Sequence, residues 1–470
     1  MSGPMALEPD GGDRNDTLSL RLADDRTRAF RRTGQDGDTL ALRVAGPRED
    51  AVDLLAAELA DRVGPAVHPY EVAALLESEG LTVEAIRERY GHPDLFSLAA
   101  ALYERVPRSF PEPLRPADPW RPDPVRCALR GALFALPGLA YLLLGQLWQT
   151  GRHGTWALIV SGLVSWAWGQ ALGHRAGLRL AAGRHEAGRT LLLGAPLGAA
   201  LATAAGAAFV REPGPVLFAA GQSVYLAAAG VLLVLHREWL LLAALGPVTA
   251  GAAALPWWQP GDPLRIALPL VSLCAAAGAA GWAVRALLTA APVPEAARPS
   301  ALRSLPYGVF GLAAGVLVLL EGRPHPWTVI ALTVSMGPAE WLLYRFRGLS
   351  VAALRATATP RGFLLRTTAV LTLCLALYLA PLLPAALLTG AEPLPVLLLA
   401  ATLWTALLLQ AFGVAWPPAL LCGLAAVAAV ALSLRHSPPG PAALSLCCGA
   451  ASAGLALCAL RALGRPAAHG

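Results

Sequence analysis

The chain has 470 residues, of which 56% are hydrophobic and only 14% charged, and its mean hydropathy is +0.53. A soluble protein would carry about 25% charged residues, so lipid is the expected main solvent and a polytopic, all-α membrane protein the expected class. All 37 basic residues are arginine, which excludes a lysine-dependent phosphate loop, a protein-kinase site and Schiff-base chemistry.

Charge divides the chain unevenly. Residues 1–126 hold 23 of the 31 acids and 16 of the 37 arginines. The basic excess therefore lies among the apolar segments, where it reads as an orientation signal and not as a nucleic-acid footprint. Lysine-free usage rich in Ala, Leu, Gly, Pro and Arg resembles that of high-GC bacterial genomes.

The chain opens with the acidic, polar MSGPMALEPDGGDRNDT, which lacks the cationic head and apolar core of a signal peptide, so a cytoplasmic N-terminus is expected. Residues 1–48 have no periodic apolar face and are expected to be a disordered acidic segment. From 49 to 107 the spacing predicts four short helices forming a small cytoplasmic domain. The first carries Val52, Leu54, Leu55, Leu59 and Val63 on one side and ends near Gly64. The second covers 69–78 and turns Val72, Leu75 and Leu76 inward. The third runs from Thr82 to Tyr90 and is closed by Gly91; the fourth, Asp94 to Val106, carries Leu95, Phe96, Leu98, Leu102 and Tyr103. Residues 108–125 are proline-rich and form a semi-rigid linker.

Beyond the linker, 126–470 reads as a transmembrane domain of twelve apolar spans. They fall near 127–147, 154–172, 190–210, 215–235, 239–257, 265–288, 305–321, 327–345, 367–388, 395–413, 416–433 and 442–460. Each approaches the ~20 helical residues needed to cross ~30 Å of hydrocarbon. With the N-terminus inside, fifteen arginines fall in inner loops and the tail and five (Arg152, Arg211, Arg265, Arg323, Arg435) in outer loops. That asymmetry predicts both termini in the cytoplasm.

The outer loops are short and their acids isolated, without the paired carboxylates and large loop of a membrane glycosyltransferase. There is no G-x-S-x-G elbow, no H-E-x-x-H and no C-x-x-C. Enzyme activity, a metal site and a cofactor are therefore not expected. Instead, the two largest basic inner loops follow spans 2 and 8, suggesting two six-helix halves about a central cavity.

Ionisable groups at membrane depth are costly and each asks for a reason. Glu340 is the deepest acid, either a coupling or gating group or an interfacial acid paired with Arg345 or another loop arginine. Arg130, one turn into span 1, either snorkels to the surface or holds the phosphate of an anionic lipid carrier. Gln146, Gln170, Gln222, Ser223, Tyr225 and Gln410 either line a hydrophilic cavity or hydrogen-bond between helices. The Gly194/Gly198 and Gly311/Gly315 pairs are read as close helix contacts.

The stretch SWAWGQALGHRAGLRLAAGRHEAGRTLLLGAPLGAALA at 165–202 resembles the end of helix 2, the inner amphipathic loop and the start of helix 3 of the multidrug/oligosaccharidyl-lipid/polysaccharide exporters. The matching residues are Gly183, Arg184, Glu186, Ala187 and Arg189. Residues 337–370 are similar in layout. The resemblance implies, in its polysaccharide or lipid-linked-sugar branch, an exporter or flippase for a lipid-linked saccharide or a growing polymer. The long N-terminal extension departs from that family. It suggests the alternative of a membrane scaffold whose residues 49–107 recruit cytoplasmic biosynthetic enzymes.

Overall fold

The computed structural model describes residues 51–109, 121–144, 152–210, 212–293, 299–435 and 441–468. The expected disordered segment at 1–48, most of the linker and Gln146 lie outside these residues. No strand occurs among the described residues, which form two compact units, one holding 51–109 and the other 121–468.

The smaller unit contains α1 (Ala51–Glu58), α2 (Ala60–Val63), α3 (Pro69–Ser78), α4 (Val83–Tyr90) and α5 (Leu95–Arg105). Their limits follow from local chemistry. Pro69 opens α3 behind His68, whose ring accepts from the Tyr70 N–H. Thr82 caps α4, and Gly91 closes it at φ 71°, a conformation that glycine adopts without steric cost. Asp94 and Ser97 form a reciprocal capping box on α5. Val52, Leu55, Leu59, Val72, Leu76, Ile86, Leu98 and Leu102 share one core. Two residues expected inside are not. Leu54 lies off the stripe on which Val52 and Leu55 are buried, and Phe96 is displaced from the Leu98/Leu102 face; both are exposed. Phe96 instead meets exposed Tyr70 edge-on at 5.8 Å.

The larger unit contains α6 (Pro124–Ala135), a 3-10 turn at Leu136–Gly138, α7 (Leu139–Leu144), α8 (Arg152–Ala182), α9 (Arg184–Ala207), α10 (Pro213–Val234), α11 (Glu238–Ala254) and α12 (Asp262–Leu288). A second set follows: α13 (Leu305–Gly322), α14 (Pro326–Val334), α15 (Met336–Arg355), α16 (Pro360–Leu379), α17 (Leu382–Leu388), α18 (Pro393–Ala411), α19 (Trp416–Arg435) and α20 (Pro441–Leu463). Nine helical segments among the described residues are long and apolar enough to cross a membrane, which makes this an all-α polytopic membrane protein. The other three expected spans fall on helices with less continuous apolar length. α8 carries Ser161, Ser165, Gln170 and three tryptophans, α11 has only 17 residues, and α14/α15 is interrupted at Ser335 and then carries three arginines.

Helix pairing repeats between the two sets. In the first half α8 packs on α9, α9 on α10, α10 on α12, α11 on α12, and α7 on α11. The second half follows the same order, with α15 on α16, α17 on α18, α18 on α20, α19 on α20, and α13 on α19. The halves meet chiefly where α8 crosses α13 and where α6 crosses α14 and α15. Between the expected spans 154–172 and 190–210, where an inner loop with a helical stretch is expected, α8 continues to Ala182 and Gly183 alone separates it from α9. The Ala, Leu and Arg residues of this stretch favour helix.

Small residues set the closest approaches. Gly194 and Gly198 face Leu172 and Trp168 of α8, and Gly311 and Gly315 face Gln170 and Leu163 of the same helix. At the second crossing the contact is glycine to glycine. A Cβ on Gly131 would lie 2.7 Å from the Val334 carbonyl, and one on Gly337 would lie 2.6 Å from the Cys127 carbonyl. At the other end of the first half Arg265 is buried without a carboxylate partner among the described residues. It donates to the carbonyls of Pro260 (2.9 Å) and Leu143 (3.4 Å) and to Gln259 Oε1 (2.6 Å), fixing the chain entry into α12 to the end of α7.

Because backbone oxygens cannot yield as side chains do, Gly337→Ala should lower stability by about 1–3 kcal/mol. Gly278→Ala, where a Cβ meets open space, should raise it by about 0.5–1 kcal/mol through helix propensity. Thermal melting of the two purified variants checks the opposite signs.

Candidate functional site: a buried arginine between two carboxylates

Asp123 caps α6 by accepting from the N–H groups of Val125 (2.9 Å) and Arg126 (3.2 Å), with Pro124 in the first turn. This start places Cys127, Arg130 and Gly131 on the buried face. Arg126 stands one turn before Arg130, so both guanidiniums address the same neighbour.

That neighbour is Glu238, the first residue of α11. Arg130 donates through Nε to Glu238 Oε1 at 2.8 Å, and its Nη2 lies 2.7 Å from the same oxygen. Arg126 Nε stands 3.6 Å from it. The acid also profits from the partial positive charge at a helix N-terminus. Glu340, on α15, takes Arg130 Nη1 through Oε1. Its second oxygen is buried with no hydrogen-bond partner among the described residues. Both acids and Arg130 are buried.

A fourth member comes from the α10–α11 turn. His236 N–H donates to the Leu233 carbonyl and Arg237 N–H to that of Leu232, the paired bonds that close a helix with a left-handed residue. The residue in that position is usually glycine, yet here it is His236 at φ 55°. Its Nδ1 lies 2.9 Å from Arg130 Nη2 and 3.9 Å from Glu238 Oε1, while the ring is half-exposed. Arg237 turns away and lies over the Trp282 ring.

Behind Glu340 the helix is pinned. Trp404, fully buried on α18, donates from Nε1 to the Ala339 carbonyl at 3.3 Å and stacks with Tyr378. The Tyr378 hydroxyl lies 3.1 Å from that of Ser335, at the α14–α15 interruption. The α8–α13 crossing between the halves has its own polar contact. His174 of α8 stacks on Tyr307 of α13 at 3.8 Å and is 3.0 Å from the Ser304 hydroxyl.

Of the described residues singled out from sequence, the structure therefore joins Arg130 and Glu340 and keeps the others apart from them. Arg130 is buried and does not offer its guanidinium to an anion in this conformation, because carboxylates and His236 occupy it. Glu340 pairs with Arg130 and not with Arg345, which lies over the Trp341 ring instead. Gln222 of α10 accepts from Tyr141 of α7 (2.8 Å) and donates to the Leu158 carbonyl of α8 (3.3 Å), a helix-to-helix bond. Gln170 packs on Gly311, and Ser223 bonds its own helix at Ala219. Tyr225 has a buried hydroxyl, and Gln410 both of its amide atoms, without hydrogen-bond partners among the described residues. Glu238 and His236 escape sequence reading because HRE between two apolar runs looks like an ordinary loop. The available signal is that Glu238 is one of only eight acids beyond residue 126.

Among the described residues, two cavities lie between helices of the first half. A groove of about 670 Å³ between α9, α10 and α12 is walled by Ala, Leu, Val, Gly and Pro196, with Thr203 as its polar member. A smaller cavity of about 20 Å³, between α8, α9 and α10, holds Ser165, Trp168 and Ser223. None of Arg130, Gln170, Gln222, Tyr225, Glu340 or Gln410 lines either one. Compared with known proteins, the chain matches no family model and no curated relative.

Removing one member of a buried ion cluster strands the rest. Arg130→Met should cost about 3–5 kcal/mol. Adding Glu238→Gln and Glu340→Gln to it should restore most of the loss, since no buried charge then lacks a partner. Melting of the single and triple variants measures the difference.

Proposed function

We propose that the chain is a membrane transporter or flippase that exports a cell-envelope saccharide, or its lipid-linked precursor, by alternating access of two halves without ATP hydrolysis. The observation that carries this reading is the Arg130–Glu340 ion pair, which joins α6 of one half to α15 of the other away from water. A buried pair contributes little net stability relative to well-packed apolar side chains, and its best-attested use is to select one of two arrangements. Here it holds the crossing shut. If the arginine-rich loops lie in the cytoplasm of a bacterial inner membrane, as their asymmetry suggests, the protein is closed on the inner side.

Three further features support the reading. The spans that meet at this crossing are both interrupted, α6/α7 at Leu136–Gly138 and α14/α15 at Ser335, and broken helices are a recurring device of transporters. The methyl-walled groove of α9, α10 and α12 suits the hydrocarbon tail of a lipid-linked substrate. The repeated helix pairing and the likeness of residues 165–202 agree with membership of the multidrug/oligosaccharidyl-lipid/polysaccharide exporters.

One observation favours a second reading, a membrane scaffold that recruits envelope-biosynthesis enzymes. Tyr70 and Phe96 form an exposed aromatic pair on the smaller unit, and exposed aromatics mark binding surfaces.

The two readings separate in cells lacking the native gene. Under the transport reading, Glu340→Ala and Arg130→Ala at unchanged membrane abundance should reduce surface saccharide by about tenfold or more, because each removes a buried charge partner. Deleting residues 49–107 should do less. The reverse pattern, loss on deletion with cluster variants active, would overturn transport in favour of the scaffold.

A further inference from the structure

Arg130 carries only N–H donors. The imidazole nitrogen 2.9 Å from its Nη2 must therefore accept, so His236 is neutral in this conformation, with its proton on Nε2. Holding the ring there requires a non-glycine residue at φ 55° in a turn that glycine closes at lower conformational cost. The side chain is also half-exposed, unlike those of Arg130, Glu238 and Glu340.

We propose that His236 is the proton sensor of the crossing between the halves, a role that rests on the latch reading above and deepens it. Imidazoles change charge between about pH 5 and 8. A proton arriving from water at Nδ1 removes the acceptor and sets a second cation against Arg130. Among the described residues, the charged and titratable groups facing that site include Arg126 and Arg130 from α6, Glu238 from α11 and the neighbouring Arg237, with Glu340 and Tyr344 on α15 beyond Arg130. Glu238, 3.9 Å away, is the partner that a protonated His236 takes. Arg130 then stands beside a second cation, the cluster is no longer close to neutral, and water drawn in to solvate the excess charge parts α6 from α15 on acidification.

Cys127 gives the readout. It is buried and its carbonyl lies against Gly337, so parting α6 from α15 exposes this stretch of α6. In the full-length protein, N-ethylmaleimide labelling of Cys127 is quantified by peptide mass spectrometry, comparing variants at the same pH so that thiol chemistry cancels. His236→Asn keeps an acceptor oxygen where Nδ1 stands and tolerates the left-handed turn, but does not titrate. His236→Gly keeps the turn and has no acceptor.

The ratio of wild-type to His236→Asn labelling should be near one at about pH 8 and rise to about threefold or more at about pH 5.5. The ratio of wild type to His236→Gly should start below one and approach one over the same range, which decides the matter even if the asparagine variant does not fold. Glu340→Gln should label rapidly at every pH. Flat ratios with a fast Glu340→Gln overturn the sensor and leave the latch standing; protection of Cys127 in Glu340→Gln as well removes both.

Discussion

A guanidinium stays charged at any physiological pH, so an arginine removed from water must be answered by the protein itself. In the larger unit this demand organises one whole end of the bundle. Arg130 presents a rigid fork of donors, and no single neighbouring helix supplies enough acceptors. Glu238 comes from the start of α11, Glu340 from the second turn of α15, and His236 from the turn before α11. With Arg126 beside them, two acids and two arginines leave the cluster close to neutral, which is the condition for burying it at all.

The contrast with Arg265 shows that burial alone does not make a switch. Arg265 is as deeply buried, yet its donors end on two backbone carbonyls and one glutamine, all within its own half. Those oxygens cannot change charge and have nowhere else to go, so the residue acts as a fixed clamp between a chain entry and a helix end. Arg130 differs in both respects. Its acceptors titrate, and one of them belongs to the other half, so the same side-chain chemistry that clamps one end of the bundle makes the other end divisible.

Hydropathy was enough to place the apolar helices, and capping residues were enough to place those of the smaller unit, because both signals are local. Arg130 and Glu340 could be singled out for the same reason, as charges inside apolar runs. Their pairing could not, since 210 residues separate them, and 108 separate Arg130 from Glu238. Glu238 looked like a loop acid because nothing in its own neighbourhood says that α6 will lie across it. Leu54 and Phe96 show the converse error: an apolar letter near a stripe counts as core only if it falls on the stripe. The glutamines were recognised as polar groups in lipid, but whether such a group faces a neighbour or a cavity depends on the opposite helix. For Gln222 that helix supplies Tyr141 and a carbonyl.

The glycine contact and the ion pair at the α6–α15 crossing belong to one device. Gly131 follows Arg130 directly, and Gly337 precedes Glu340 by one turn, so the place where the backbones touch is also where the charges meet. Backbone contact is short-ranged and forfeits about a quarter to a half of its attraction when a gap of ~0.5–1 Å opens. An ion pair screened from water weakens more gradually until solvent enters, and then almost completely. Coupled in one place, they give a crossing with two stable conditions, touching and dry or parted and wet, with little between. That is a property of packed interfaces generally, but here the sequence adds the means to bias it, a titratable side chain standing at the water's edge of an otherwise sealed cluster.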